Sequence, residues 1–270
     1  MHRDVSINTL CLAPAPLAEH IEAIARLGAQ AMSPVVDQVR ELGVQQTDRQ
    51  LREAGLEVAT LSHMAFGFAS PDETEAARAR LDQTIEIAAG ISAKTITMTT
   101  GGRGRLTWTE AAERFAEAVA PCGERAKAAG IKLGIEGTSH LYSDSSIAHR
   151  LSDTVRLAQM GSICPAVDVF ACWFDSDIDQ AISDAGPDIS VIQVSDYVYG
   201  DRGLPCRAVP GDGAIPLHQI IPALVSSGFT GHYDLEIIGP RLEAEGREAG
   251  LRRAANYIGA LLEKAGRPSG

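Results

Sequence analysis

Apolar and polar positions fall into alternating blocks along the chain. Apolar runs of strand length recur at Val5–Leu12, Leu56–Leu61, Thr95–Met98, Ile131–Ile135, Cys164–Val169, Ile189–Val194 and Tyr233–Ile238, with a weaker run at Ala29–Val36. Several are continuous rather than alternating, the pattern of parallel strands buried on both faces. Between them lie stretches with a helical period. Pro16–Leu27 sets Leu17, Ile21, Ile24 and Ala25 on one face, and Asp72–Ala89 spaces Leu81 and Ile85 by four. Thr107–Ala129 opens with Thr107 and Glu110 in capping-box spacing and carries Pro121 inside, which predicts a kink or break. Ser145–Met160, Ile178–Ala185, Leu217–Ser227 and Leu242–Lys264 complete the helical series. Gly28, Gly55, Gly130 and Gly228 stand where left-handed helix caps are expected.

Eight strand–helix units in 270 residues give about 34 residues each, near the typical ~250-residue (β/α)8 barrel. No composition shift marks a linker, so one TIM-barrel domain over residues 1–270 is expected. Only the last few residues, Arg267–Gly270, look biased enough to be disordered. The runner-up is an open doubly wound sheet, which wants a glycine-rich turn after its first strand. The chain there reads APAPLAEH, without glycine. The GGRG at 101–104 follows a strand but has no lysine or GxGxxG pattern to make a phosphate cradle.

Composition narrows the function classes. Hydrophobic residues at 45% and charged residues at 22% exclude a mainly disordered chain. No run approaches the ~20 apolar residues of a membrane span. The net charge of −11 argues against nucleic-acid and anionic-membrane partners. Cys11, Cys122, Cys164, Cys172 and Cys206 are scattered, with no CxxC pair, which disfavours a cysteine zinc site or a disulfide scaffold. The N-terminus MHRDVSINTL lacks a signal-peptide core, so a reducing cytoplasm is the expected compartment.

In a barrel the chemistry sits where the strands end. The third apolar run ends at Ser62 and His63, and the fourth at Thr99, Thr100 and Gly101. The fifth ends at Glu136, the sixth at Asp168, the seventh carries Gln193 and Asp196, and the eighth places Glu236 at its end. Three carboxylates and an amide on four consecutive strand ends would converge over the mouth. Crowded carboxylates repel unless a cation sits among them. An all-oxygen set favours Mg²⁺ or Mn²⁺ over zinc. The expected metal ligands are therefore Glu136, Asp168, Gln193 and Glu236.

These residues also carry a resemblance. IEGTS at 135–139, VDVFACW at 167–173, QVSDY at 193–197, RAVPGDGAIPL at 207–217 and LEIIGPR at 235–241 resemble, in order and spacing, the xylose isomerase-like TIM-barrel superfamily. The likeness runs from Val5 to about Leu262. It implies sugar isomerase, epimerase or dehydratase chemistry, with a divalent cation held by Glu, Asp, His and Glu of strands five to eight. Here those positions are Glu136, Asp168, Gln193 and Glu236. The glutamine resembles the 3-dehydroshikimate dehydratase branch. Many relatives carry a substrate-contacting His three residues after the strand-six Asp, where this chain has Ala171. The usual acid at the end of strand two is missing from AMSPVV. Arg207 resembles the arginine that relatives aim at substrate oxygens.

A cation bound to a ketone oxygen and the adjacent hydroxyl stabilises an enediolate. Proton return decides isomerisation or epimerisation, and expulsion of a β-group gives a lyase. The expected function is a metal-dependent isomerase or epimerase on a keto-sugar or keto-polyol. The alternative is a lyase or dehydratase on a keto-cyclitol or keto-glycoside. Expected acid–base groups are Glu136, Glu236 and His63. Expected substrate contacts are Arg207, His140, Trp173 and Phe66, with Phe68 and Trp108 as further wall. Asp196 is expected to orient Arg207 or a ligand, while Arg241 could serve the site or cap a helix. Two further classes weigh less. An AP-endonuclease-type nuclease would need a histidine-rich three-zinc site and a basic groove, and a non-catalytic sugar-binding subunit would fit Ala171. The expected substrate is an uncharged small molecule. A homodimer is compatible with the barrel, although no interface signature is present.

Overall fold

The apolar runs form nine short parallel strands: β1 Val5–Asn8, β2 Ala31–Ser33, β3 Glu57–Val58, β4 Leu61–Ser62, β5 Thr95–Met98, β6 Lys132–Glu136, β7 Cys164–Asp168, β8 Ile192–Val194 and β9 Tyr233–Leu235. The computed structural model describes residues 1–269. The strand order is β3-β2-β1-β9-β8-β7-β6-β5-β4. β3 and β4 are two halves of one strand, parted by Ala59 and Thr60. Both lean on the β2 segment: Ala59 N donates to Met32 O at 2.9 Å and Ser62 N to Pro34 O at 2.9 Å. Val35 bridges Ser62 in parallel. The sheet therefore closes as an eight-stranded (β/α)8 barrel whose third strand is broken. The expected runs at 29–36 and 189–194 are shorter as strands than the sequence implies.

Strand alternation sorts the side chains into two shells. Val5, Ile7, Val167, Ile192, Tyr233 and Leu235 face the helices and are fully buried. The inward face is polar. Asp234 accepts hydrogen bonds from Ser6 Oγ at 2.6 Å, Ser33 Oγ at 2.6 Å and Asn8 Nδ2 at 3.0 Å, all buried. Between the neighbouring strands β4 and β5, the inward hydroxyls of Thr60, just before β4, and Thr97 bond at 2.8 Å. The apolar core thus lies mainly between the strands and the helical ring.

The helices correct the sequence expectations in four places. Trp108–Ala128 runs unbroken through Pro121. Proline removes the amide that would bond the carbonyl four residues back. Here Arg78 Nη2 donates to that carbonyl, Glu117 O, at 3.1 Å. The expected helix 145–160 begins only at Leu151. Its first residues are claimed by neighbours: Ile147 N donates to Thr100 Oγ1 at 2.9 Å and Thr138 N to Ala148 O at 3.0 Å. The expected helix 242–264 is two helices, Pro240–Glu245 and Arg247–Lys264, parted at Gly246, whose φ is +95°. Two helices that the periodicity did not single out, Val36–Leu42 and Val44–Ala54, join β2 to β3.

At the C-terminus Arg267, expected to be disordered, is tied down. Its Nε pairs with Asp4 Oδ2 at 2.9 Å and its Nη1 donates to Phe229 O at 3.1 Å. Gly270 lies outside the described residues. Among those residues all five cysteines are free. No helix there is long and apolar enough to cross a membrane.

Candidate active site

Four consecutive strands deliver their polar ends to one mouth. Glu136 and Asp168 are the last residues of β6 and β7, Gln193 sits in β8, and Glu236 follows β9 directly. Asp168 pairs in register with Gln193, and Gln193 with Asp234. A cavity of about 250 Å³ opens beside them, walled by Glu136, Asp168, Arg207 and Glu236. Thr99, Thr138, Ser139 and Ser145 line it as well, beside Tyr142, Phe170, Ala171, Leu204, Pro205, Cys206 and Ile238. A few convergent polar groups in a concave, partly apolar pocket is the usual form of a small-molecule site.

Arg207 is the centre of the charge network. Its Nη1 donates to Asp168 Oδ1 at 3.0 Å and its Nη2 to Asp168 Oδ2 at 2.6 Å, a two-pronged pair. Nη1 also reaches Ser195 Oγ at 3.2 Å, and Nη2 stands 3.6 Å from Glu236 Oε2. The guanidinium carbon lies 4.7 Å from the centre of the Phe170 ring. Burial opposes its charge, but Asp168 and Glu236 outweigh burial and keep it protonated.

One positive charge does not satisfy three carboxylates. Burial first, then the charges of Glu236 and Asp168, push Glu136 up to about 8, against Arg207 and a hydrogen bond from Gln193. Burial pushes Glu236 up to about 7, with Arg207 opposing and Asp168 and Asp234 adding. Both groups therefore titrate near neutrality, where proton transfer is most efficient.

Asp196 builds the loop that carries Arg207. Its carboxylate accepts from the backbone N–H of Tyr197 at 2.8 Å, Gly211 at 2.9 Å, Gly213 at 2.9 Å and Ile215 at 3.1 Å. Its backbone exchanges hydrogen bonds with Ala208, 2.8 Å one way and 2.7 Å the other. The side chain does not touch Arg207; it positions Arg207 through the fold of the PGDG turn. Gly213 has to be glycine there, because a Cβ would fall on the Asp196 carboxylate and the Tyr197 carbonyl. Arg241 pairs doubly with exposed Asp201, at 2.6 and 2.9 Å, outside the cavity.

Five expected site residues, Gln193, His63, Phe66, His140 and Trp173, are not among those lining the cavity. Ser62 bonds in register with inward-facing Thr97, so alternation turns His63 out toward the helices. His63 Nδ1 is 3.0 Å from Thr84 Oγ1 of the helix Pro71–Gly90. Burial, then Arg40 and Arg80, push it down to about 4, so it is neutral at pH 7. His63→Gln is expected to leave kcat/KM within about threefold of wild type; a hundredfold loss would return His63 to the chemistry. Phe66 is fully buried, edge-on to Phe115 with ring centres 6.0 Å apart. The loop after β4 folds back over the helix Trp108–Ala128 and buries Phe66 and Phe68 there. His140 is exposed in the short turn His140–Tyr142, which puts Tyr142 instead on the cavity wall. Trp173 packs 6.3 Å from Tyr197, one layer behind the cavity. Trp108 is a structural residue, donating to Ile147 O at 3.0 Å.

Phe170 and Tyr142 were missed by sequence reasoning. A signal for Phe170 existed. Asp168 caps the short helix Val169–Cys172 and accepts from Phe170 N at 3.0 Å, and a strand-end Asp followed by apolar residues is an N-cap pattern. Tyr142 had no comparable signal.

The donor set suits a hard divalent cation. Among buried side-chain atoms, Gln193 Oε1 and Glu236 Oε2 lack any hydrogen-bond partner. These two buried oxygens are left free to accept from, or to ligate, a bound group. Asp168, by contrast, is committed to Arg207 through both oxygens. Among the described residues, no three His, Cys, Asp or Glu side chains stand arranged to hold a metal ion.

A closed parallel barrel with an acidic, hydroxyl-lined mouth defines the class of protein. The xylose isomerase-like TIM barrel family model matches residues 21–261, and the chain belongs to that family. No curated protein matches it in sequence. Solved structures match along its whole length. Protein SMc04130 of Sinorhizobium meliloti 1021 is 25% identical, with 97% of this chain and 98% of that one covered and a TM-score of 0.84. The IolI protein, solved with a bound zinc atom, is 14% identical, with 98% and 99% covered and a TM-score of 0.85. D-Psicose 3-epimerase of Clostridium cellulolyticum H10, solved with D-tagatose, is 18% identical, with 98% of each chain covered and a TM-score of 0.78.

Proposed function

We propose that this chain is a divalent-metal-dependent isomerase or epimerase acting on a keto-sugar or keto-polyol through an enediolate. The observation that carries the reading is the convergence of Glu136, Asp168, Glu236 and Arg207 on one cavity of about 250 Å³, with Gln193 in register beside Asp168. Glu136, Asp168, Gln193 and Glu236 would hold the cation. Bound there, it would supply Lewis-acid polarisation of a carbonyl and its neighbouring hydroxyl. Mn²⁺ or Mg²⁺ suits this set, since the donors are oxygen and the histidine that zinc prefers is replaced by Gln193. The neighbours solved with zinc and with a ketose support the class of chemistry.

The chain's own groups divide the work. Glu136 and Glu236 are the carboxylates placed at the cavity to accept and return the proton between adjacent carbons. Arg207 offers donors to the oxygen that gains negative charge and stays charged throughout. The Thr and Ser hydroxyls bind substrate hydroxyls and displace water. A lyase or dehydratase is the second reading. It is favoured by the cavity wall, where Ala171 presents no base and His63 is turned away, leaving only the two glutamates to move protons.

The proposed setting is the cytoplasm, with an uncharged small molecule as partner. The test is deuterium uptake at the α-carbon of D-fructose, D-psicose and D-tagatose in D₂O with Mn²⁺, followed by NMR. Exchange without elimination supports the isomerase or epimerase. Release of water or an aglycone supports the lyase. Metal binding with no exchange from any keto-sugar would leave a binding protein and defeat the proposal.

A further inference from the structure

The chain is poor in aromatic residues, with two Trp, five Tyr and six Phe. Five of these form one connected row at the barrel mouth. It starts at Phe170 in the cavity wall, beneath Arg207. Phe170 meets Tyr197 at 6.1 Å between ring centres, and Tyr197 meets Trp173 at 6.3 Å and Tyr199 at 6.1 Å. Trp173 then meets Phe174 at 5.1 Å. Exposure rises along the row: Phe174 is 79% exposed and Tyr199 71%. Leu204, on the same loop as Tyr199, lines the cavity and is 39% exposed. The loop is held in place, since Tyr197 Oη donates to Asp201 O at 2.8 Å and Arg241 clamps the Asp201 carboxylate.

Exposed aromatic rings in contact with one another mark a binding surface. A ring contributes at most roughly 150–250 Å². Two exposed rings therefore fall short of the ~800 Å² per partner that a stable dimer buries. They match a single ring of a small molecule. The row is also continuous with the cavity, so one ligand reaches both. The cavity of about 250 Å³ accommodates one sugar ring and little more.

We infer that the row from Phe170 to Phe174 and Tyr199 is a second subsite, and that the substrate is a keto-glycoside whose keto-sugar enters the cavity while an apolar aglycone ring lies on the row. The inference rests on the keto-sugar reading of the cavity, in its lyase form, and adds the aglycone subsite. Aromatic faces bind such a ring by stacking, without hydrogen-bond readout. Its recognition is therefore by flatness and apolar area.

The test is calorimetric binding of the phenyl and methyl 3-keto-β-D-glucopyranosides to the full chain. Wild type and a Phe174→Ala/Tyr199→Ala double variant are compared. Both replaced side chains are mostly solvent-exposed, so folding survives, as circular dichroism will verify. Wild type is expected to bind the phenyl glycoside about five- to tenfold more tightly, and the variant to bind both alike. Methyl glycoside binding with no phenyl preference overturns the subsite and leaves the sugar reading standing. Binding of neither glycoside overturns both. A wild-type dimer that the double variant dissolves, seen by sedimentation, assigns the row to a second copy of the chain and overturns the inference.

Discussion

Mn²⁺ or Mg²⁺ at a hundredfold excess over its Kd is expected to raise the melting temperature of this chain by roughly 5 °C. Binding to the native state alone at that excess stabilises by ~2.7 kcal/mol. A protein of this size gains roughly 2 °C per kcal/mol. Glu136→Gln and Glu236→Gln should each abolish most of the shift, because each removes an anionic donor. The pH dependence follows from the raised carboxylates. A carboxylate whose folded pKa lies above its unfolded value stabilises the fold while protonated. That contribution is full below the ordinary value of 4.5 and lost as pH rises through the folded value. With Glu136 at about 8 and Glu236 at about 7, the metal-free chain loses stability between about pH 5 and 8. Metal binding must displace these protons, so affinity rises over the same window and calorimetry at pH 7 records proton release. Melting temperatures that ignore both metals at pH 8, and are unchanged in the two variants, would remove the cation from the site.

Arg207→Met should be the most damaging single change in the molecule without metal. It leaves buried Asp168 with only the Phe170 N–H on Oδ1 and no partner on Oδ2. Breaking one side of a buried pair costs about 3–5 kcal/mol, which corresponds to roughly 6–10 °C in melting temperature. Turnover should fall about 10²–10³-fold, the usual loss when a donor to a developing oxyanion is removed. A structural arginine would produce the first effect alone. The distinguishing result is rescue. In the variant, Mn²⁺ should restore more stability than it adds to wild type, because the cation supplies the positive charge that Asp168 lost. Equal metal shifts in the two proteins would mean that Asp168 does not ligate metal.

The strand-end acids were legible in the sequence because a parallel barrel brings the ends of its apolar runs to one mouth. Glu136, Asp168 and Glu236 each close such a run, and Gln193 interrupts one. Arg207 was found through its neighbourhood with PGDG, which the structure explains by the hydrogen bonds from Asp196. What failed depended on single-residue parity or on distant partners. His63 and Ser62 are adjacent, and which of them faces inward is set by pairing with β5, which no local pattern reveals. Phe66 looked like a wall residue until Phe115, nearly fifty positions on, offered a better partner. The helix Val44–Ala54 escaped notice because VQQTDRQLREA carries few apolar residues, and only Thr47 and Leu51 are buried. Pro121 would have broken its helix but for an arginine on a neighbouring one.

The hydroxyl- and amide-rich lumen also bears on how this protein can change. Most barrels of this kind plug their centre with branched aliphatic side chains. Here Ser6, Asn8, Ser33 and Asp234 fill it instead. Selection for heat resistance would find ready gains by exchanging that set for well-packed aliphatics, since buried ionic clusters are often no more stable than their apolar replacements. Such a lineage would also remove the anion at 234 that lies beneath Glu236 and helps set its proton affinity. Robustness and turnover therefore compete for the same few positions, and laboratory evolution of either should read out at the floor of the barrel rather than at its rim.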